Sequence, residues 1–83
     1  MCSECAMLFL FARPGSYVFW MKGMRFPLDI AWLRDDPIVH IERHIPSEST
    51  DTYRSPVPAN RVIEWNAGTL DQVQVGDRVH FTP

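Results

Sequence analysis

The sequence predicts a mainly β protein: a small antiparallel β-sandwich or a partly open, jelly-roll-like barrel, with one short helical turn near residues 69–73. Short runs rich in aromatic and β-branched residues recur along the chain, and prolines and glycines separate them. These runs do not alternate with helical segments, so nothing indicates a parallel sheet. At 83 residues and 46% hydrophobic composition, we treat residues 1–83 as a single β domain.

Four predicted strands follow one another in the first half of the chain. The first run is apolar, and Pro14-Gly15 is a turn dipeptide that is expected to end it. The next two are rich in aromatic and aliphatic residues, and the fourth alternates with period two after the turn at Asp35-Asp36-Pro37. The predicted strands cover residues 6–12, 17–22, 29–33 and 38–44.

The second half begins with a long loop and ends with two more predicted strands. Residues 46–58 are rich in Ser, Thr and Pro and contain one aromatic residue, Tyr53. A strand is predicted for 61–67 and another for 78–82. Between them, Thr69 is suited to cap a short helical turn, with Asp71 near its positive end, and Asp77 is suited to a turn.

Charge and hydropathy argue against several classes of function. Eight basic and ten acidic side chains give a net charge of −2, which does not suit a nucleic-acid-binding surface. No apolar stretch approaches the roughly 20 residues of a membrane span. Glu4, rather than Lys or Arg, precedes the first apolar run, so the sequence as written favours a cytoplasmic location. Export is expected only if a signal segment lies upstream of Met1.

Several segments resemble the domain of unknown function 192 family, in the family's order. They are AMLFLF (6–11), FWMKGMRFPLDIAWL (19–33), VIEWNAG (62–68) and VQVGDRV (73–79). The resemblance spans nearly the whole chain and implies a small, mainly β domain, but it implies no reaction. Two positions depart from the family pattern: Ala6 stands where Gly is usual, and Lys22-Gly23-Met24 replaces Lys-Asn-Thr.

The resemblance also implies that N-terminal strands usual in the family are missing from this chain. Their loss would leave one sheet edge unpaired, and an unpaired edge favours association with another chain. A homodimer formed through an open sheet edge is therefore one expected assembly.

One group of polar residues is the best candidate site in the sequence. Lys22 and Asp29 flank a six-residue connection, so a hairpin would place them nearly opposite each other. Glu64 alternates with its neighbours and is expected to face the same way as Val62 and Asn66. The candidate ligand-binding set is Trp20, Lys22, Asp29, Glu64 and Asn66.

This set supports three hypotheses about function. The first is a binding or interaction module that accepts a small anionic or sugar-like ligand beside Trp20 and the 46–58 loop. The second is an enzyme in which Lys22 and a carboxylate act as acid and base. The third is a structural, dimerising domain, in which Lys22 and Asp29 form an ordinary cross-strand pair. No catalytic residue is assigned, and no cofactor is expected.

A zinc site is a weaker alternative. Cys2 and Cys5 have C-x2-C spacing, and His40 and His44 have H-x3-H spacing. However, 34 residues separate the two pairs, and the cysteines lie at the chain end. The sequence therefore favours a solvated polar face for the histidines over a metal site.

Overall fold

The computed structural model describes residues 6–20 and 26–79, which form two antiparallel sheets. The larger sheet has four strands in the order β1-β6-β3-β4, and β2 pairs with β5 in a two-stranded ribbon. The mainly β, antiparallel fold class is confirmed, and the sheets do not close into a barrel within these residues. The strands are β1 (Met7–Gly15), β2 (Phe19–Trp20), β3 (Leu28–Leu33), β4 (Ile38–Ile45), β5 (Thr52–Tyr53) and β6 (Ala59–Asn66).

The central strand β3 is buried at every position because both faces of the large sheet are covered. Its even-numbered residues contribute to a core with Phe19 and Tyr53 of the ribbon. Its odd-numbered residues Ala31 and Leu33 pack with Leu70 and other apolar residues of the 67–79 segment. We call these two sides of the large sheet the ribbon face and the loop face. Because both faces of the sheet are covered at β3, the sequence of this strand is an almost continuous apolar run.

Aromatic contacts hold the ribbon against the large sheet. The ring of Phe19 meets the ring of Trp32 edge-on, with centroids 6.1 Å apart. Phe9 of β1 meets the same Phe19 ring at 5.2 Å. Edge-to-face pairs of this kind contribute about 0.5–1.5 kcal/mol beyond the area that they bury. Phe19 therefore connects a two-residue strand to both an edge strand and the centre of the sheet.

The first strand ends at Pro14-Gly15 as predicted, but it extends past the predicted residues 6–12 and includes this dipeptide: Gly15 pairs with Ala59 after a register shift between Leu10 and Gly15. An edge strand tolerates this because proline there removes no ladder hydrogen bond. The predicted 46–58 loop contains β5, which pairs Tyr53 with Phe19.

The predicted hairpin between residues 17–22 and 29–33 is also wrong. Within the described residues, β2 pairs with β5, whereas β3 pairs with β4 and β6. The residue across from Asp29 is Trp65 of β6. Lys22 lies outside the described residues, so nothing follows about its own position.

The short helical turn predicted near 69–73 does not form. Instead, separate turns occur, in which the N–H groups of Thr69, Asp71 and Val73 each donate to the carbonyl three residues earlier. Gly68 has φ +95°, which a right-handed helix does not allow. The last predicted strand appears only as a bridge between Pro37 and Arg78, and residues 80–82 lie outside the described part of the chain.

Candidate functional site

Asp29 is a fully buried acid whose carboxylate is held by backbone N–H groups. Oδ2 accepts from the N–H of Gly68 and the N–H of Leu70, both at 2.9 Å. Oδ1 accepts from the N–H of His44 at 2.8 Å. A carboxylate with several N–H donors needs no counter-ion to remain buried. Asp29 thus ties the 67–72 turns and the end of β4 to the loop face.

The backbone around Asp29 is shaped to present these donors. Gly68 occupies the left-handed region, where glycine is least strained. His44 also has a positive φ, of 54°, at a bulge where β4 has one more residue than β3 between paired positions. Both unusual conformations direct an N–H group toward the carboxylate. Asp29 therefore stabilises a corner of the fold, and its oxygens are already engaged.

The side chain of His44 lies beside the same corner. Its Nε2 atom is 2.6 Å from Oδ1 of Asp71, and both side chains are exposed. This hydrogen bond, together with the negative charge of Asp71, raises the pKa of His44 above its ordinary value. Asp29, His44 and Asp71 offer ligand atoms within 4.8 Å of one another. The hydrogen bonds that these three side chains already make explain why they lie together, as polar contacts that stabilise this corner of the fold.

Glu64 is the second buried acid, and its environment differs from that of Asp29. It lies on β6 between Ile30 of β3 and Met7 of β1, and only 8% of its surface is exposed. Within the described residues, nothing in the structure donates a hydrogen bond to its carboxylate. Burial raises the pKa of Glu64 because the charged form loses hydration.

Two further buried polar atoms lie on the same face as Glu64. Asn66 pairs with Leu28, and Val62 pairs with Trp32, so Asn66 and Trp32 share the ribbon face with Glu64. The Oδ1 atom of Asn66 and the Nε1 atom of Trp32 have no hydrogen-bond partner in the described part of the chain. Leaving a buried polar group unpaired costs about 1–3 kcal/mol. We call Trp32, Glu64 and Asn66 the polar triad.

The site predicted from the sequence is divided between the two faces of the sheet. The predicted shared orientation of Val62, Glu64 and Asn66 is confirmed by the β3–β6 register. Asp29, however, is on the loop face and cannot join them. Trp20 is on the ribbon, 64% exposed, next to the inward-facing Phe19. Lys22 lies outside the described residues, so its place in the set stays a prediction.

The histidines of the proposed zinc site have separate partners. Nε2 of His40 lies 2.9 Å from Oε1 of Glu42, and the ring packs against Trp32 on the ribbon face. His44 instead contacts Asp71 beside the loop face. The bulge in β4 interrupts the alternation that would have kept the two histidines on one side. Cys2 and Cys5 lie outside the described residues.

A family model described as an uncharacterized ACR, DUF192, matches residues 1–81. The chain belongs to the DUF192 family. The resemblance in the sequence segments around FWMK and PLD is thereby confirmed. No curated protein matches the chain. Membership in DUF192 establishes the kind of domain and assigns no activity.

Two solved structures share the DUF192 fold of this chain. One, from Sinorhizobium meliloti 1021 and described as a proposed transcription regulator, is 33% identical with a TM-score of 0.85. The other, a protein of unknown function from Novosphingobium aromaticivorans DSM 12444, is 26% identical with a TM-score of 0.87. The matches cover 94% and 98% of this chain, but only 63% and 60% of those chains. Within residues 6–20 and 26–79, no helix is long and apolar enough to cross a membrane.

Sequence reasoning missed Trp32 as a member of the site. Its ring is fully buried in the core of the large sheet. The signal that could have found it is register: once β3 and β6 are paired, Trp32 must face the same way as Glu64. Its unpaired N–H could be found only from the three-dimensional packing.

Glu64 gives the domain a specific pH dependence. The pKa of Glu64 is raised in the folded state. Its full contribution to stability is therefore present at pH values below about 4.5, the ordinary pKa of this group. That contribution is lost as the pH rises through the folded-state pKa. We expect Glu64→Gln to remove this decline, so that the difference in unfolding free energy between variant and wild type grows with pH. Urea denaturation from pH 4 to pH 8 measures the difference.

The exposed acid Glu48 provides the control for this experiment. Glu48→Gln should follow the wild-type curve at every pH. A Glu64→Gln curve parallel to wild type would show that the burial of Glu64 does not penalise its charge.

Proposed function

We propose that this domain is a binding module for a small, sugar-like ligand, which it holds at the polar triad on the ribbon face. The observation that supports this most is the coincidence, on one face, of the buried acid Glu64 with two buried polar atoms that have no hydrogen-bond partner in the described residues, Trp32 Nε1 and Asn66 Oδ1. Leaving polar groups unpaired lowers the stability of the domain, and a ligand that forms hydrogen bonds with them would offset that loss. Functional sites are the usual places for such unsatisfied groups.

The chemistry of the polar triad selects the ligand class. The Glu64 carboxylate and the Asn66 Oδ1 atom are hydrogen-bond acceptors, and the Trp32 Nε1–H group is a donor. Glu64 and Asn66 are two positions apart on β6, about 7 Å in an extended strand. Hydroxyl groups can serve donors and acceptors alike. An inorganic anion offers few protons and would be repelled by Glu64, so of the two predicted ligand classes the sugar-like one fits better.

The ribbon lies over the Trp32 member of the polar triad, because Phe19 packs edge-on against its ring. The ribbon consists of two strands of two residues each, and a two-stranded ribbon is marginally stable by itself. Its contact with the large sheet depends on a few rings, chiefly Phe19. We therefore expect the ribbon to act as the cover of the site, while the four-stranded sheet stays fixed.

Nuclear magnetic resonance tests the proposal directly, because Trp32 and Asn66 both carry observable side-chain N–H groups. Isotope-labelled protein is titrated separately with D-glucose, D-ribose, glycerol and inorganic phosphate. We expect at least one of the three polyhydroxyl probes to shift the Trp32 indole and Asn66 amide signals saturably. Glu64→Leu should abolish this response, whereas Glu48→Gln should leave it unchanged.

Two results would count against the proposal. If none of the polyhydroxyl probes moves the Trp32 and Asn66 signals, the polar triad does not bind this class of molecule. If phosphate alone produces saturable shifts, the ligand is an anion. In either case, the assignment of a sugar-like ligand is wrong.

A further inference from the structure

β1 is an edge strand with an unusually apolar surface. Its one neighbour in the described residues is β6. Met7 and Leu8 are each nearly half exposed, and Leu10 is 67% exposed. The sequence from Ala6 to Ala12 contains no charged residue. A long edge of this kind offers unpaired backbone N–H and C=O groups and apolar side chains to another strand.

The opposite edge of the same sheet is protected. The N–H of Gly76 donates to the carbonyl of Ile38, and the N–H of Ile38 donates to the carbonyl of Asp77, both at 2.8 Å. The guanidinium group of Arg43 donates to the carbonyl groups of Leu70 and Val73. Charged side chains and a covering segment are the usual means by which proteins prevent edge pairing. In β1, such features are confined to the end of the strand, at Arg13, Pro14 and the register shift, and residues 7–12 have no charged side chain.

We propose that β1 pairs antiparallel with β1 of a second copy of this chain across a twofold axis. The two four-stranded sheets then join into one continuous sheet. Because residues 6–12 are uncharged, an antiparallel pair has no like-charge repulsion in this segment. A twofold interface also needs a self-complementary surface, and an apolar strand facing itself provides one.

A second copy would lie beside the proposed binding site, since Met7 pairs directly with Glu64. The second copy would then close the open side of the ribbon face, next to β1.

Analytical ultracentrifugation over a concentration series tests the dimer, with two variants chosen for matched exposure. Leu10→Lys places a charge on the β1 edge, while Val75→Lys places one on a turn where Val75 is 62% exposed. We expect wild type and Val75→Lys to dimerise alike. Leu10→Lys should weaken association about tenfold or more, because the charge is buried twice in the interface. Near-UV circular dichroism checks that Leu10→Lys remains folded.

Hydrogen exchange of the β1 amides identifies the occupant of the edge. A second copy predicts protection that increases with protein concentration and disappears in Leu10→Lys. A monomeric wild type at all concentrations would overturn the proposal, and so would a dimer that Leu10→Lys leaves intact. Protection that does not depend on concentration would mean that a segment of the same chain covers β1, which also excludes the second copy.

Discussion

Replacing Asp29 by alanine is expected to lower the free energy of unfolding by about 3–5 kcal/mol. The substitution leaves the N–H groups of His44, Gly68 and Leu70 without their acceptor. An orphaned buried donor costs about 1–3 kcal/mol, and these three lie in buried or partly buried surroundings. Small domains have stabilities near the low end of about 5–15 kcal/mol, so much of the protein should unfold. Urea denaturation monitored by tryptophan fluorescence measures the loss.

The matched control is Asp51→Asn, which alters an exposed acid in the loop before β5. Its unfolding midpoint should stay close to that of wild type. A loss below about 1 kcal/mol in Asp29→Ala would contradict the assigned role, because that is the range of an exposed ion pair.

Replacing Trp32 by alanine is expected to cost about 3–5 kcal/mol and to release the ribbon. Trp32 is fully buried on the interior strand β3, and its ring contacts both Phe19 and His40. Without that ring, Phe19 of β2 loses its edge-on contact with the interior of the large sheet and keeps the one with Phe9. Denaturation measures the global loss, and hydrogen exchange at β2 and β5 measures the local one.

Trp32→Phe separates the packing role from the polar one. Phenylalanine keeps an aromatic ring for Phe19 to contact and removes the unpaired Nε1–H group, so the loss should be much smaller than in Trp32→Ala. If the two variants lose the same stability, the edge-to-face contact is not what holds the ribbon. If β2 and β5 keep their protection in Trp32→Ala, the ribbon is anchored elsewhere.

The strands of the large sheet could be located from local sequence pattern. β3 is almost wholly apolar, β6 has the expected orientation of Glu64 and Asn66, and the period-two sequence of β4 marks a strand even though bulges interrupt its alternation in the structure. β5 could not be predicted in this way. Its two residues lie between polar and proline-rich neighbours, and what fixes them as a strand is pairing with Phe19 and Trp20.

The residues of the candidate site also differ in whether the sequence alone could place them. Glu64 and Asn66 could be grouped because period-two alternation acts within one strand. Asp29 could not be assigned to a face without knowing which strands pair with β3, and the hairpin that seemed to place it was wrong. The helical turn failed for a related reason: the N–H groups of Gly68 and Leu70 donate to Asp29, a residue about 40 positions earlier. Long-range contacts of this kind leave no local signature.

The most direct test compares two isosteric substitutions, Asp29→Asn and Glu64→Gln, by urea denaturation at pH 7. If Asp29 stabilises the fold and Glu64 serves ligand binding, the two substitutions change the free energy of unfolding in opposite directions. Asp29→Asn should lose stability, because an amide presents N–H groups to backbone donors. Glu64→Gln should be as stable as wild type or more stable, because it removes a buried charge that has no partner among the described residues. A comparable loss in both variants would show that Glu64 is a structural residue and would contradict the account.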